Sequence, residues 1–118
     1  MARYVDSFLI PVPKKNLKQY KSMSLKSAKA WIKAGALEYV ESIADDVTKG
    51  KVTSFPRALK LKSGEIVAFG YAVYKSRAHR DQVMAKVHKD ETLMAEWEKM
   101  PFDGMRMIWG GFKTIVSK

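Results

Sequence analysis

The segment Met100–Phe112, reading Met-Pro-Phe-Asp-Gly-Met-Arg-Met-Ile-Trp-Gly-Gly-Phe, most constrains what this chain can become. Pro101 fixes φ, Asp103 can bond its own backbone and Gly104 accepts φ > 0, so a turn opens the segment. The residues after the turn read as a strand that is apolar or aromatic on both faces. Met105, Met107 and Trp109 point one way, and Ile108 and Phe112 point the other. A sheet containing such a strand needs cover on both sides. The rest of the chain must supply one layer, and a second subunit is a natural source of the other.

The remaining periodicities say what the first layer is. Arg3–Val12 alternates as a strand, with Tyr4, Asp6, Phe8 and Ile10 on one face, and ends at Pro11 and Pro13. Lys14–Ala34 has helical spacing. Leu17, Tyr20, Ser24, Ala28, Trp31 and Ile32 form a stripe opposite Lys14, Lys18, Lys21, Lys29 and Lys33, and Gly35 is placed to end the helix. Ala36–Ala44 is a second strand, in which Leu37, Tyr39, Glu41 and Ile43 share a face. Arg57–Lys62 alternates loosely and reads as a short extra strand with Leu59 and Leu61 inward. Glu65–Tyr74 is a third main strand. Val67, Phe69, Tyr71 and Val73 line one face; Ala68, Gly70 and Ala72 line the other, where small residues let a helix sit close. Ser76 caps a helix over Arg77–Lys89, with Val83, Met84 and Val87 inward, and Asp90 caps a shorter one over Glu91–Lys99, with Leu93, Met94 and Trp97.

Strand, helix, strand, strand, helix, strand predicts an α+β class: a ferredoxin-like βαββαβ domain over residues 1–118, with helices on one face of an antiparallel sheet. The other face, with aromatic and Met side chains from several strands, would be open in a monomer, which argues for a homodimer.

Composition narrows the chemistry. The chain has 118 residues and no Cys, so disulfides, thiolate nucleophiles and cysteine metal sites are excluded. The longest apolar run, Ile66–Tyr74, is too short to span a bilayer, and the N-terminus lacks the apolar segment of a signal peptide, so the expected location is the cytoplasm. The net charge of +10 raises the question of a nucleic-acid or membrane-surface partner. Much of the excess lies between Asp6 and Glu38, where there is no acidic residue, and reads as a solvated helix face. No aromatic ladder interleaved with Arg is visible, which argues against nucleic acid.

The whole chain resembles the YbaA-like family of small bacterial proteins, a domain of unknown function. The resemblance rests on Tyr4-Val5-Asp6, Gly35-Ala36-Leu37, and Val40-Glu41 followed by Asp45-Asp46-Val47. It rests above all on Met100-Pro101-Phe102-Asp103-Gly104, Arg106-Met107-Ile108 and Gly110-Gly111-Phe112. It implies a dimeric α/β barrel, in which two ferredoxin-like sheets face each other, and no known activity. Related barrels include antibiotic-biosynthesis monooxygenases, haem-handling enzymes and stress proteins, an analogy of fold alone. Met105 stands where the family is expected to carry a basic residue.

Few constellations could carry chemistry. His79 and His88, nine positions apart on one helix, fall on nearly opposite faces and cannot share a metal. No phosphate loop, dinucleotide fingerprint or zinc motif is present, so neither a metal nor a cofactor is expected. Gly110-Gly111 reads as a bulge or a close helix contact. Asp6 and Glu41 are the sharper pair, because each is a carboxylate on an aromatic-rich strand face and must be paired, hydrogen-bonded or protonated. Arg106, Arg77 and Arg80 are candidate partners. The pair is either an interface salt bridge, the preferred reading for Glu41, or a general base or substrate anchor in a pocket. Candidate ligand contacts are Tyr39, Phe69, Tyr71, Arg106, Met107 and Trp109.

The leading expectation is a small dimeric protein with an apolar-aromatic cleft for a small organic molecule. If it is an enzyme, it is a cofactor-independent oxygenase or isomerase. The alternatives are a structural or stress-associated interaction protein without ligand and a basic nucleic-acid-binding module.

Overall fold

The computed structural model describes residues 3–118; the first two residues of the expected domain lie outside the described residues. Four strands, β1 (Tyr4–Pro13), β2 (Glu38–Ile43), β3 (Glu65–Tyr74) and β4 (Ile108–Lys113), form one antiparallel sheet in the order β2-β3-β1-β4. The helices α1 (Leu17–Ala34), α3 (Arg77–His88) and α4 (Glu91–Glu98) connect the strands on one face, and α2 (Phe55–Ala58) is a single turn. This is the βαββαβ order of the ferredoxin-like arrangement.

The register sets the rows of side chains that face the helices. Tyr39, Ala72, Asp6 and Gly111 are neighbours across the four strands, and Glu41, Gly70, Phe8 and Trp109 form the adjacent row. Small residues on β3 let the helices and the Phe8 ring come close. Ala68 and Ala72 are buried, and a Cβ on Gly70 would lie 2.3 Å from Phe8 Cζ. Helix ends follow local chemistry. Gly35 takes the left-handed conformation after α1, with φ of 117°, and the side chains of Ser76 and Asp90 accept from the backbone N–H groups of His79 and Leu93.

Most of the buried apolar residues fall into two groups. Trp31, Ala36, Ala72, Tyr74, Val83, Val87 and Leu93 pack at one end of the helix-covered face, and Ile10, Val12, Tyr20 and Ala68 at the other. The opposite face of the sheet carries Phe69, Ile108 and Phe112, which are 41%, 42% and 60% exposed.

Four local expectations are corrected. Arg57–Lys62 is not a strand. Ser54 caps the α2 turn, with Pro56 in its first turn, and Lys60 has a φ of 52°, which breaks any extended run; Leu59 is nevertheless buried. Met105 is not on the last strand. It lies in a 3-10 turn, Gly104–Arg106, and is 93% exposed. Gly104 is not among the glycines with positive φ; the turn is held by Asp103 Oδ1, which accepts from the Met105 N–H at 3.0 Å. Gly110-Gly111 is neither a bulge nor a helix contact, since the β1–β4 register runs unbroken and the Tyr4 ring lies against Gly111.

Candidate functional site

Between the two halves of the core lies a cavity of about 340 Å³. Trp31, Ala72 and Tyr74 from one half and Ile10 and Tyr20 from the other contribute to its wall. Aromatic rings do most of the enclosing. The Trp31 ring lies 5.5 Å from both Tyr39 and Trp97, Phe8 lies 6.3 Å from Tyr39, and Tyr20 meets Phe102 edge-on at 5.9 Å. Met23, Met84, Met100 and Met107 complete the apolar lining. Methionine fills irregular space and adapts to what it contacts. Met100, His88 and Trp109 stay exposed and mark the rim.

Two carboxylates line this cavity, in different surroundings. Asp6 is buried and belongs to a closed network. Its Oδ2 accepts from the Tyr74 hydroxyl at 2.9 Å, that hydroxyl accepts from Trp31 Nε1 at 3.0 Å, and Oδ1 pairs with Arg80 Nη1 at 3.1 Å. Burial raises the Asp6 carboxyl above its ordinary value, against the opposing pull of Tyr74 and Arg80. Among the described residues Glu41 has no such cation. Its two oxygens accept from two phenols, Oε1 from Tyr20 and Oε2 from Tyr39 at 2.7 Å. Burial, and then the Glu41 charge, push both phenols well above their usual range, so both keep their protons and act as donors. Asp6 and Glu41 therefore share a cavity but are not partners of each other.

The other candidates separate by sheet face. Tyr39, Met107 and Trp109 line the cavity, whereas Phe69 and Tyr71 lie on the opposite face, where the Tyr71 hydroxyl donates to Glu38 at 3.0 Å. Arg106 meets neither carboxylate. It forms a fork with Glu65, at 2.8 and 2.5 Å, and bonds Asp103 at 2.8 Å, so it ties the turn before β4 to the start of β3. Of Arg77, Arg80 and Arg106, Arg80 reaches Asp6. Tyr20, Trp31, Trp97 and Phe102 also line the site. Tyr20 and Trp31 were visible in the helical stripe, but which part of that stripe would face a void depends on how the helices pack.

Comparison with known proteins agrees with this architecture. The family described as "Protein of unknown function (DUF1428)" matches residues 3–104. The uncharacterised protein YbaA of Escherichia coli strain K12 is 40% identical over 116 residues, which cover 98% of this chain and 99% of YbaA, and its counterpart in Shigella flexneri matches equally. Two crystal structures of dimeric ferredoxin-like proteins from an uncultured marine organism superpose over all of this chain and 98% of theirs, with TM-scores of 0.58 and 0.61 and identities of 11% and 13%. SnoaB of Streptomyces nogalater, a cofactor-independent oxygenase, superposes over 98% of this chain and 94% of its own, with a TM-score of 0.55 and 11% identity. Among the described residues no helix is long and apolar enough to cross a membrane.

Proposed function

The chain belongs to the DUF1428 family, described as proteins of unknown function, and we propose that this member binds a small organic molecule in the cavity between its sheet and its helices. The observation that carries this reading is the divided core. A core built for stability alone packs such a gap with side chains, because protein interiors are close-packed. Here the gap is walled by aromatic rings and methionines and contains a carboxylate held by two phenols. Apolar walls with a few placed polar groups are the usual make-up of a small-molecule site.

The same reading makes the protein a homodimer through the other sheet face, where Phe69, Ile108 and Phe112 are exposed and Phe69 meets Tyr71 edge-on. Such a patch on a monomer favours association. SnoaB carries out oxygenation on a similar scaffold, but 11% identity is a likeness of fold and brings no reaction with it.

N-phenyl-1-naphthylamine, neutral at pH 7 and fluorescent only in apolar surroundings, tests the cavity. It is expected to bind saturably at one site per chain, and Met84→Trp, which places a larger ring in the cavity, is expected to weaken binding. A non-saturating signal, or one that Met84→Trp leaves unchanged, overturns the reading.

A further inference from the structure

The charge inside the cavity differs from the charge outside it. The chain carries a net charge of +10, yet no Lys or Arg lines the cavity among the described residues, and its one basic lining group, His88, sits at the exposed rim. Two carboxylates do line it. Arg80 neutralises Asp6 from behind, and the Tyr74 hydroxyl occupies its second oxygen. Glu41 is different. Its only side-chain partners among the described residues are Tyr20 and Tyr39, both neutral donors on the cavity wall. Two phenols hold the carboxylate in place without cancelling its charge. Each carboxylate oxygen can accept more than one hydrogen bond, so capacity remains on both.

A half-buried carboxylate set in an apolar wall, with no cation on it among the described residues, attracts one. The surrounding rings call for the same thing. Phe8, Trp31, Tyr39, Trp97 and Trp109 line the cavity, and aromatic faces attract ammonium groups. Anions are disfavoured by Glu41, and metal cations lack a ligand set, because no group of three or more metal-binding side chains occurs among the described residues. We propose that the ligand is an organic ammonium compound, a small aromatic or alicyclic amine whose protonated nitrogen sits on Glu41 and whose apolar body lies against the rings. This inference rests on the cavity being a ligand site and adds the charge of the ligand to it.

A matched triplet tests it in the full-length protein: tryptamine, tryptophol and indole-3-acetate, which share an indole and differ in bearing an ammonium, a hydroxyl or a carboxylate. Binding is measured by calorimetry at 0.15 M salt, where surface lysines are largely screened. Tryptamine is expected to bind about tenfold more tightly than tryptophol, the margin between a charge-assisted and a neutral hydrogen bond. Indole-3-acetate is expected to bind most weakly. Glu41→Gln is expected to remove the preference for the amine, and Glu41→Asp, which keeps the charge, to retain the ranking. Should Glu41→Gln fail to fold, the wild-type ranking and Glu41→Asp still decide. Tryptophol or indole-3-acetate binding as tightly as tryptamine, or a preference that survives Glu41→Gln, overturns the inference. If N-phenyl-1-naphthylamine binds while the triplet shows no preference, the charge assignment falls and the cavity reading stands. If neither it nor any indole binds, both fall.

Discussion

The Tyr39 hydroxyl donates to Glu41 Oε2 at 2.7 Å, between two side chains that sit two residues apart on the same face of β2. Alternation along a strand puts residues i and i+2 on one side of a sheet, so this bond is built into the local sequence. The second phenol, from Tyr20 on α1, arrives only through the packing of that helix on the sheet. Together they hold a carboxylate that has no cation beside it among the described residues, which leads to the first prediction.

Glu41→Gln is expected to leave the denaturant midpoint unchanged or raise it, with a change in stability within about 1 kcal/mol. The amide oxygen still accepts from one phenol, the amide NH₂ donates to the other, and the charge is lost from a site that is only half-buried. Sites kept for function often hold such charge at the expense of stability. Urea denaturation monitored by tryptophan fluorescence checks this. A loss well above that range would return Glu41 to a structural role.

Arg80→Met should behave in the opposite way. It leaves the Asp6 carboxylate buried with Tyr74 as its remaining side-chain partner among the described residues, and the cost at neutral pH is expected to be about 3 kcal/mol, the low end for breaking a buried pair because the Tyr74 hydroxyl still donates to it. Burial already raises Asp6 above its ordinary value of 3.8, and losing Arg80 raises it further. A raised folded value means that protonation favours the folded state. The stability it confers is complete below 3.8 and is lost as pH rises through the folded value. The defect of Arg80→Met should therefore shrink as the pH is lowered from 7 to 4, and Asp6→Asn should rescue the variant at pH 7. Thermal melts across that pH range decide the matter, and a defect of constant size would speak against the pairing.

Arg106 predicts the reverse pH dependence. Its hydrogen bonds hold the Glu65 carboxyl below the ordinary value of 4.5 and Asp103 below 3.8. A depressed folded value contributes stability that is present above the ordinary value and is lost as pH falls through the folded one. Arg106→Gln should thus destabilise the protein at pH 7, with a gap to wild type that closes toward pH 3. Parallel melting curves of the two proteins at all pH values would count against it.

Gly70→Ala tests the packing of the cavity floor. Gly70 does not have a positive φ, so the effect is steric: the new Cβ would lie 2.3 Å from Phe8 Cζ and 2.4 Å from Cε2. Displacing that ring is expected to cost about 1–3 kcal/mol, as overpacking generally does. An unchanged melting temperature would show that Phe8 moves freely.

The dimer can be tested on the other sheet face. Light scattering is expected to give twice the chain mass of 13.4 kDa, and Phe69→Glu to give the monomer. A monomeric wild type at micromolar concentration would remove the barrel.

Much of this was decided locally, and the reasons are physical. The alternation of Glu65–Tyr74 predicted β3 with the boundaries it has, because small and large side chains in strict order tolerate only one pleat. Ser76 and Asp90 announced α3 and α4 by chemistry that acts within three residues. Where such signals are weak, other local chemistry wins: the loose alternation of Arg57–Lys62 yields to the Ser54 cap and Pro56, and the apolar pattern at Met105 extends past the start of a strand that begins at Ile108.

Tertiary structure alone decided the partners. Whether Arg80 or Arg106 would reach a given carboxylate depends on helix placement and strand register, to which one-dimensional patterns are blind. Asp6 and Glu41 looked alike in sequence, each a carboxylate on an aromatic face. Only the fold put a guanidinium beside one and a second phenol, Tyr20, against the other, and only the gap between two packed halves of the core made a cavity of the surface they share.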